Sequence, residues 1–206
     1  MSTAPKSSPV QLTVLSLLHF KPLHPYGMQR LLKEWGKDQV VNVGQRTSLY
    51  RAIDRLLGAG LIAVRETGRD QQYPERTVYE ITDAGRATTR TWLLEMLREP
   101  RLEFPEFPVA LANLMLLAPE EIEQALTARL TAVRAGQAAQ ERSLAETAAF
   151  GVPRVAMLEN EYARALAAAE GDWLESVLDD LRSGRLSWSA EELIAFARAD
   201  EGRAPQ

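Results

Sequence analysis

Thr47, Ser48, Arg51 and Arg55 lie close together in QRTSLYRAIDRLLGAGLI, residues 45 to 62. Two short hydroxyl side chains followed one turn later by guanidinium groups suit contact with a polyanion. The short side chains let a helix end approach a groove floor, and the arginines reach phosphate oxygens or guanine edges. Tyr50 flanks this set, where its hydroxyl can donate to a phosphate or its ring can cover the edge of a core. Asp54 is the exception, because phosphates repel a carboxylate. It is expected to pair with a neighbouring arginine or to lie where the helix leaves the groove.

The rest of the chain offers no competing chemistry. There are no cysteines, which removes thiol nucleophiles, disulfides and zinc ribbons. The two histidines, His19 and His24, bracket a helix-ending turn with no carboxylate at metal-ligand spacing. No glycine-rich phosphate loop, GxSxG elbow or HExxH motif occurs. Asp179 and Asp180 are adjacent on a helix and diverge by about 100°, so they cannot share a substrate. No catalytic residue, metal or cofactor is expected.

The polar set needs a helix to carry it. At 100° per residue, Leu49, Ala52, Ile53, Leu56 and Leu57 gather on one side, while Thr47, Ser48, Arg51, Asp54, Arg55 and Gly58 point away. One face packs and the other displays. Residues 10–20, VQLTVLSLLHF, are apolar enough for a largely buried first helix, and KPLHP breaks it. YGMQRLLKEW places Met28, Leu31, Leu32 and Trp35 at helical spacing, with Gly36 as its stop. After the quoted helix, AGLIAVRET and TVYEIT alternate as two strands around a polar tip broken by Gly68 and Pro74. Arg65, Arg69, Gln71, Gln72 and Arg76 belong to that hairpin, and Arg69 and Arg76 are its candidates for contact with backbone or an adjacent minor groove. Thr82 or Asp83 can cap a further helix that Pro100 ends. These elements make a winged helix-turn-helix.

RLEFPEFP, 101 to 108, is expected to be an extended but partly anchored linker. Everything after it is expected to be helical. Pro119 suits a first turn, followed by Glu120, Glu121 and Glu123 at the positive end of the helix. Its apolar stripe is Ile122, Leu126, Leu130 and Val133. Beyond GVP at 151–153, a second long helix carries Val155, Leu158, Tyr162, Ala165, Leu166 and Ala169 on one side. Gly171 is expected to interrupt or kink it before Trp173, Leu174, Val177, Leu178 and Leu181. Ser189 and Glu192 form a capping box for a last helix.

Charge is divided unevenly along these elements. Up to Trp92 there are 13 Lys and Arg against 8 Asp and Glu, a net +5; beyond it 11 stand against 20, a net −9. A basic module joined to an acidic one implies a polyanionic partner for the first half only. No apolar run approaches the roughly 18 residues of a membrane span, and MSTAPKSSP reads as a disordered lead-in rather than a secretory signal. A cytoplasmic location is expected.

Three segments together resemble the PadR family of transcriptional regulators: HPYGMQRLL at 24–32, TSLYRAIDRLLGAGLI at 47–62 and PERTVYEITDAGR at 74–86. Pro25 stands where the family often has glycine, and Ser48 lies between Thr47 and Leu49. FPVALANLMLLAPEEIEQAL and LENEYARALAAAEGDWLESVL resemble the helical domain of the longer PadR subgroup. The resemblance adds Tyr26, at the opening of the second helix, to the DNA-contacting set. It implies a fold that is mainly α with a small β-hairpin wing: a lead-in at 1–8, a winged helix-turn-helix domain at 9–100, a linker and packing segment at 101–117, and an all-helical dimerisation domain at 118–200. It further implies a homodimer on a pseudo-palindromic double-stranded DNA operator, with repression relieved by a small aromatic or hydrophobic effector. The long helices agree with dimerisation, since their apolar stripes exceed what one helical hairpin can bury. The candidate effector residues are Trp92, Phe104, Phe107, Met115 and Trp173, around a cleft between the modules bordered by Trp92. The competing reading is a winged helix used for protein–protein contact without specific DNA binding.

Overall fold

The computed structural model describes residues 7–37, 40–41, 46–68, 76–189 and 192, with the side chains of 46, 67, 68 and 76 outside that description. The chain divides into two compact units, Met1–Leu102 and Glu103–Gln206.

In the first unit, α1 (Pro9–Phe20) starts on a proline, whose missing N–H falls where no helical bond is due. Ser7, expected within a disordered lead-in, is instead buried. Its hydroxyl accepts from Arg101 at 2.7 Å, and Arg101 also holds Glu95 at 2.6 Å. α2 (Pro25–Glu34) is capped by His24, whose Nδ1 accepts the Gly27 N–H at 2.8 Å. Gly36, at φ 64°, follows it in the left-handed conformation.

α3 (Arg46–Gly58) closes in a Schellman arrangement, with Gly60 N–H on Leu57 O at 3.0 Å and Leu61 N–H on Leu56 O at 2.9 Å. Gly60, at φ 68°, is the residue that permits the reversal into the next strand. β1 (Ile62–Gly68) and β2 (Arg76–Ile81) pair antiparallel from Ile62 opposite Ile81 to Gly68 opposite Arg76. The register shifts between Val64 and Glu66, which makes Arg65 the extra residue of a bulge. On the other edge of β2, Leu23 exchanges two backbone hydrogen bonds with Tyr79, at 3.0 and 2.9 Å. The α1–α2 turn is thereby tied to the wing.

α4 (Asp83–Arg98) begins at Thr82, whose hydroxyl accepts from Gly85 N–H at 3.0 Å and donates to Gly60 O at 2.8 Å. One side chain thus joins the end of α3 to the start of α4. The core comprises Val14, Leu15, Leu18, Met28, Leu32, Leu49, Ile53, Leu56, Ile62 and Trp92 among others. Each large aliphatic buried there contributes about 1.5–3 kcal/mol.

The second unit contains α5 (Glu106–Leu111), a 3-10 turn at Leu114–Leu116, α6 (Pro119–Ala149), a 3-10 turn at Arg154–Met157 and α7 (Leu158–Arg182). Two expectations are corrected here. The linker is not extended throughout, because α5 starts at Glu106. Pro108 is compatible with its first turn, where the backbone N–H groups have no helical acceptor. Nor does Gly171 interrupt the helix, since α7 runs through it. Its lack of a side chain makes room for the Arg134 guanidinium, whose carbon would be 2.8 Å from an added Cβ. Val155, read as part of the long helix, belongs to the 3-10 turn before it.

α6 and α7 pack against each other around Ile122, Leu126, Leu174 and Leu178. Arg134 holds Glu175 at 2.7 Å and Asp172 at 2.9 Å, and Arg182 holds Glu123 at 2.8 Å. Such exposed pairs select the register of the two helices more than they add stability. The Ser189–Glu192 capping box is present, with bonds of 2.8 and 3.2 Å. The last helix expected beyond it lies outside the described residues.

Candidate nucleic-acid interface

α3 divides much as its periodicity predicts. Leu49, Ala52, Ile53 and Leu56 are buried, whereas Thr47, Tyr50, Arg51, Asp54, Arg55 and Gly58 are exposed and Ser48 is half-buried. Leu57 departs from its expected place in the core. It is 38% exposed, at the edge of the packed face.

The side chains of Arg51 and Arg55 form no hydrogen bond or ion pair with any described residue. In the second unit, by contrast, Arg129, Arg134, Arg154, Arg182 and Arg185 each hold a carboxylate. An arginine whose donors are unused on the protein surface retains them for an external anion. Asp54, expected to pair with an arginine or to lie where the helix leaves the groove, has no ion-pair partner among the described residues. Arg51 and Arg55, three residues before it and one after, leave its carboxylate unpaired.

Burial, and then the charge of Asp54 and the presence of Tyr50, raise the Tyr79 hydroxyl above its ordinary value. The charge of Asp54 on α3 thus reaches Tyr79 of β2. Tyr79 and its pairing with Leu23 were missed in the sequence. The alternation of TVYEIT identifies a strand but not what stands opposite each residue.

Tyr26 is 64% exposed at the second position of α2, with its ring stacked on His24 at 6.1 Å between centroids. Among the wing candidates, Arg76 pairs its backbone with Gly68 and its side chain is not described; Arg69, Gln71 and Gln72 lie outside the described residues. Arg65, on the bulge, is 3.6 Å from Glu80.

The effector candidates divide between the units. Trp92 is 4% exposed in the core of the first. In the second, Phe107 and Trp173 meet edge to face at 6.1 Å, and the Arg129 guanidinium lies 3.4 Å above the Phe107 ring while holding Glu170. Phe104 and Met115 are exposed. No helix among the described residues is long and apolar enough to cross a membrane.

Comparison with known proteins gives a consistent result. Residues 14–91 match the transcriptional regulator PadR-like family. No curated protein matches the sequence. Among solved structures, Bacillus subtilis PadR in complex with operator DNA is similar at 22% identity, covering 84% of this chain and 99% of that one, with a TM-score of 0.68. The same Bacillus protein in complex with p-coumaric acid is 21% identical over 84% and 98% of the two chains, with a TM-score of 0.67. The Vibrio cholerae virulence activator AphA is 18% identical over 84% and 98%, with a TM-score of 0.62. At these identities the solved structures establish the fold.

Proposed function

We propose, from the premise that this chain belongs through its residues 14–91 to the transcriptional regulator PadR-like family, that it is a cytoplasmic homodimer binding a specific duplex operator. The observation that carries this reading is the display on α3 of Arg51 and Arg55, whose side chains have no partner among the described residues, beside Thr47 and Ser48. Tyr26 and Tyr50 add hydroxyl donors for phosphate, and Arg69 and Arg76 supply wing contacts. In a two-fold dimer the two copies of α3 enter successive major grooves about 34 Å apart.

Residues 9–100 serve as the DNA-binding domain, 101–117 as linker and packing segment, and 118–200 as the dimerisation domain. Dimerisation draws support from α7, where Leu158, Tyr162, Leu166 and Trp173 form an exposed apolar stripe. Such a stripe, about four turns long, is a natural surface for a partner chain.

The regulatory outcome in this reading is repression, relieved by a small aromatic or hydrophobic compound. p-Coumaric acid, bound by the similar Bacillus protein, is a first probe. Phe104, Phe107, Met115 and Trp173, all of the second unit, are the residues proposed for it, whereas Trp92 is packed in the core of the first unit. An effector favouring one dimer geometry weakens DNA binding by population shift.

Titration of the intact protein against duplex DNA across a salt series tests the central claim. Affinity is expected to fall linearly in log–log form as salt rises, because each neutralised phosphate releases counterions. Retention of no duplex, even in dilute buffer, would leave the winged helix as a protein-contact module.

A further inference from the structure

We infer that Asp54 is a specificity-determining residue that reads a cytosine amino group in the major groove, a claim that rests on the DNA-binding reading above. At 100° per residue, Thr47, Arg51, Asp54 and Gly58 fall within about 60° of arc. Asp54 stands at one end of that arc, between Thr47 and Tyr50, and within the exposed face that runs from Tyr50 to Arg55. Its carboxylate is exposed and meets no cation among the described residues.

Arg51, three residues before it, forms no ion pair with it, and the positions four residues away carry no cation. Tyr50 lies four residues before Asp54, and Gly58 four residues after it. A Cβ built at Gly58 would meet nothing within 4 Å, so the helix surface beyond the carboxylate is clear. Burial first, and then the charge of Asp54, raises the Tyr79 hydroxyl above its ordinary value.

An unneutralised carboxylate within a DNA-facing surface penalises every sequence that offers it only phosphates and ring acceptors. The compensation available in a major groove is an exocyclic amino donor, and a carboxylate pairs there with cytosine N4. Arg51 and Arg55 thus supply attraction to any duplex, while Asp54 withholds binding until the matching base is present. Specificity here comes as much from what is rejected as from what is gained.

The test is selection from duplexes carrying a randomised stretch, using the intact wild-type chain and the variants Asp54→Asn and Asp54→Ala. Circular dichroism confirms that both variants fold. Wild type is expected to recover a motif with cytosine at one position in each half-site. An amide pairs with adenine N6 and N7, so Asp54→Asn is expected to exchange that cytosine for adenine. Asp54→Ala is expected to lose preference there by about tenfold, the lower part of the range for a direct base contact, and to bind random duplex more tightly.

A motif unchanged in Asp54→Ala overturns the assignment, whether or not overall affinity rises; a uniform rise assigns Asp54 to bulk repulsion alone. If wild type itself selects no motif, the DNA-binding reading fails, and this inference fails with it.

Discussion

Replacing Gly85 by alanine adds one methyl group at the point where three elements of the first unit meet. Gly85 is buried in the first turn of α4, and a Cβ there would lie 2.0 Å from the Leu61 carbonyl oxygen and 2.8 Å from Ile81 Cγ1. Reaching ordinary contact at 3.4 Å requires the two backbones to part by about 1.4 Å. The same few atoms carry three hydrogen bonds: Thr82 N–H to Leu61 O at 3.1 Å, Gly85 N–H to Thr82 Oγ1 at 3.0 Å and Thr82 Oγ1–H to Gly60 O at 2.8 Å.

Overpacking costs about 1–3 kcal/mol. Weakening those bonds adds about 0.5–1.5 kcal/mol each. The better helix propensity of alanine returns about 1 kcal/mol. The net expectation is a loss of about 3 kcal/mol, a large part of the roughly 5–15 kcal/mol that holds a domain folded. Urea denaturation of the intact chain, followed by circular dichroism, should show the first unit melting about 2 M earlier. Hydrogen exchange at the amides of β1 and β2 should accelerate in parallel.

Gly171→Ala is the control. Its Cβ also meets an atom at 2.8 Å, but that atom ends the flexible Arg134 side chain. Arg134 can swing aside, so a change within about 1 kcal/mol is expected. A Gly85→Ala protein within about 0.5 kcal/mol of wild type would refute the reasoning, because rigid backbone and flexible side chain would then be equivalent obstacles.

Arg51→Ala should cost about 1–3 kcal/mol of operator affinity in a gel-shift titration if Arg51 reads a base, and less with a shallower salt slope if it touches phosphate; unchanged binding removes it from the interface. Thr82→Ala should destabilise the first unit by about 1 kcal/mol in urea, with Thr82→Ser recovering most of the loss through the retained hydroxyl. Leu174→Ala, at a fully buried position of a small core, should cost about 2–5 kcal/mol. Truncation after Pro100 should give a monomer by sedimentation with far weaker operator binding, and a persisting dimer would reassign the interface.

Much of the architecture was legible because the relevant signals are local. Leu49, Ile53 and Leu56 declare the inner face of α3 by spacing alone, and Thr82 declares a helix start by its type. The stop of α2 was readable from Gly36 for the same reason. The failures share a different cause. Leu57 satisfies the apolar period of α3 yet stands at the edge of the packed face, because burial depends on how far the neighbouring elements extend. Gly171 carries the usual mark of a helix break, but an arginine from α6 fills the space its missing side chain leaves. Pro105 and Pro108 suggested an extended linker, and the chain instead uses the prolines in and before the first turn of a short helix.

The amino-acid order alone determined the two-faced division of the third helix apart from Leu57, that a hairpin follows it, and that a basic module precedes an acidic one. Periodicity, caps and charge are properties of neighbours along the chain, so a linear reading reaches them. Only tertiary structure decided that Leu23 pairs with Tyr79, that an alanine at Gly85 would collide with the Leu61 carbonyl, and that Asp54 meets no cation among the described residues. Those facts depend on atoms from distant segments arriving within a few ångströms, and nothing in the local pattern encodes that distance.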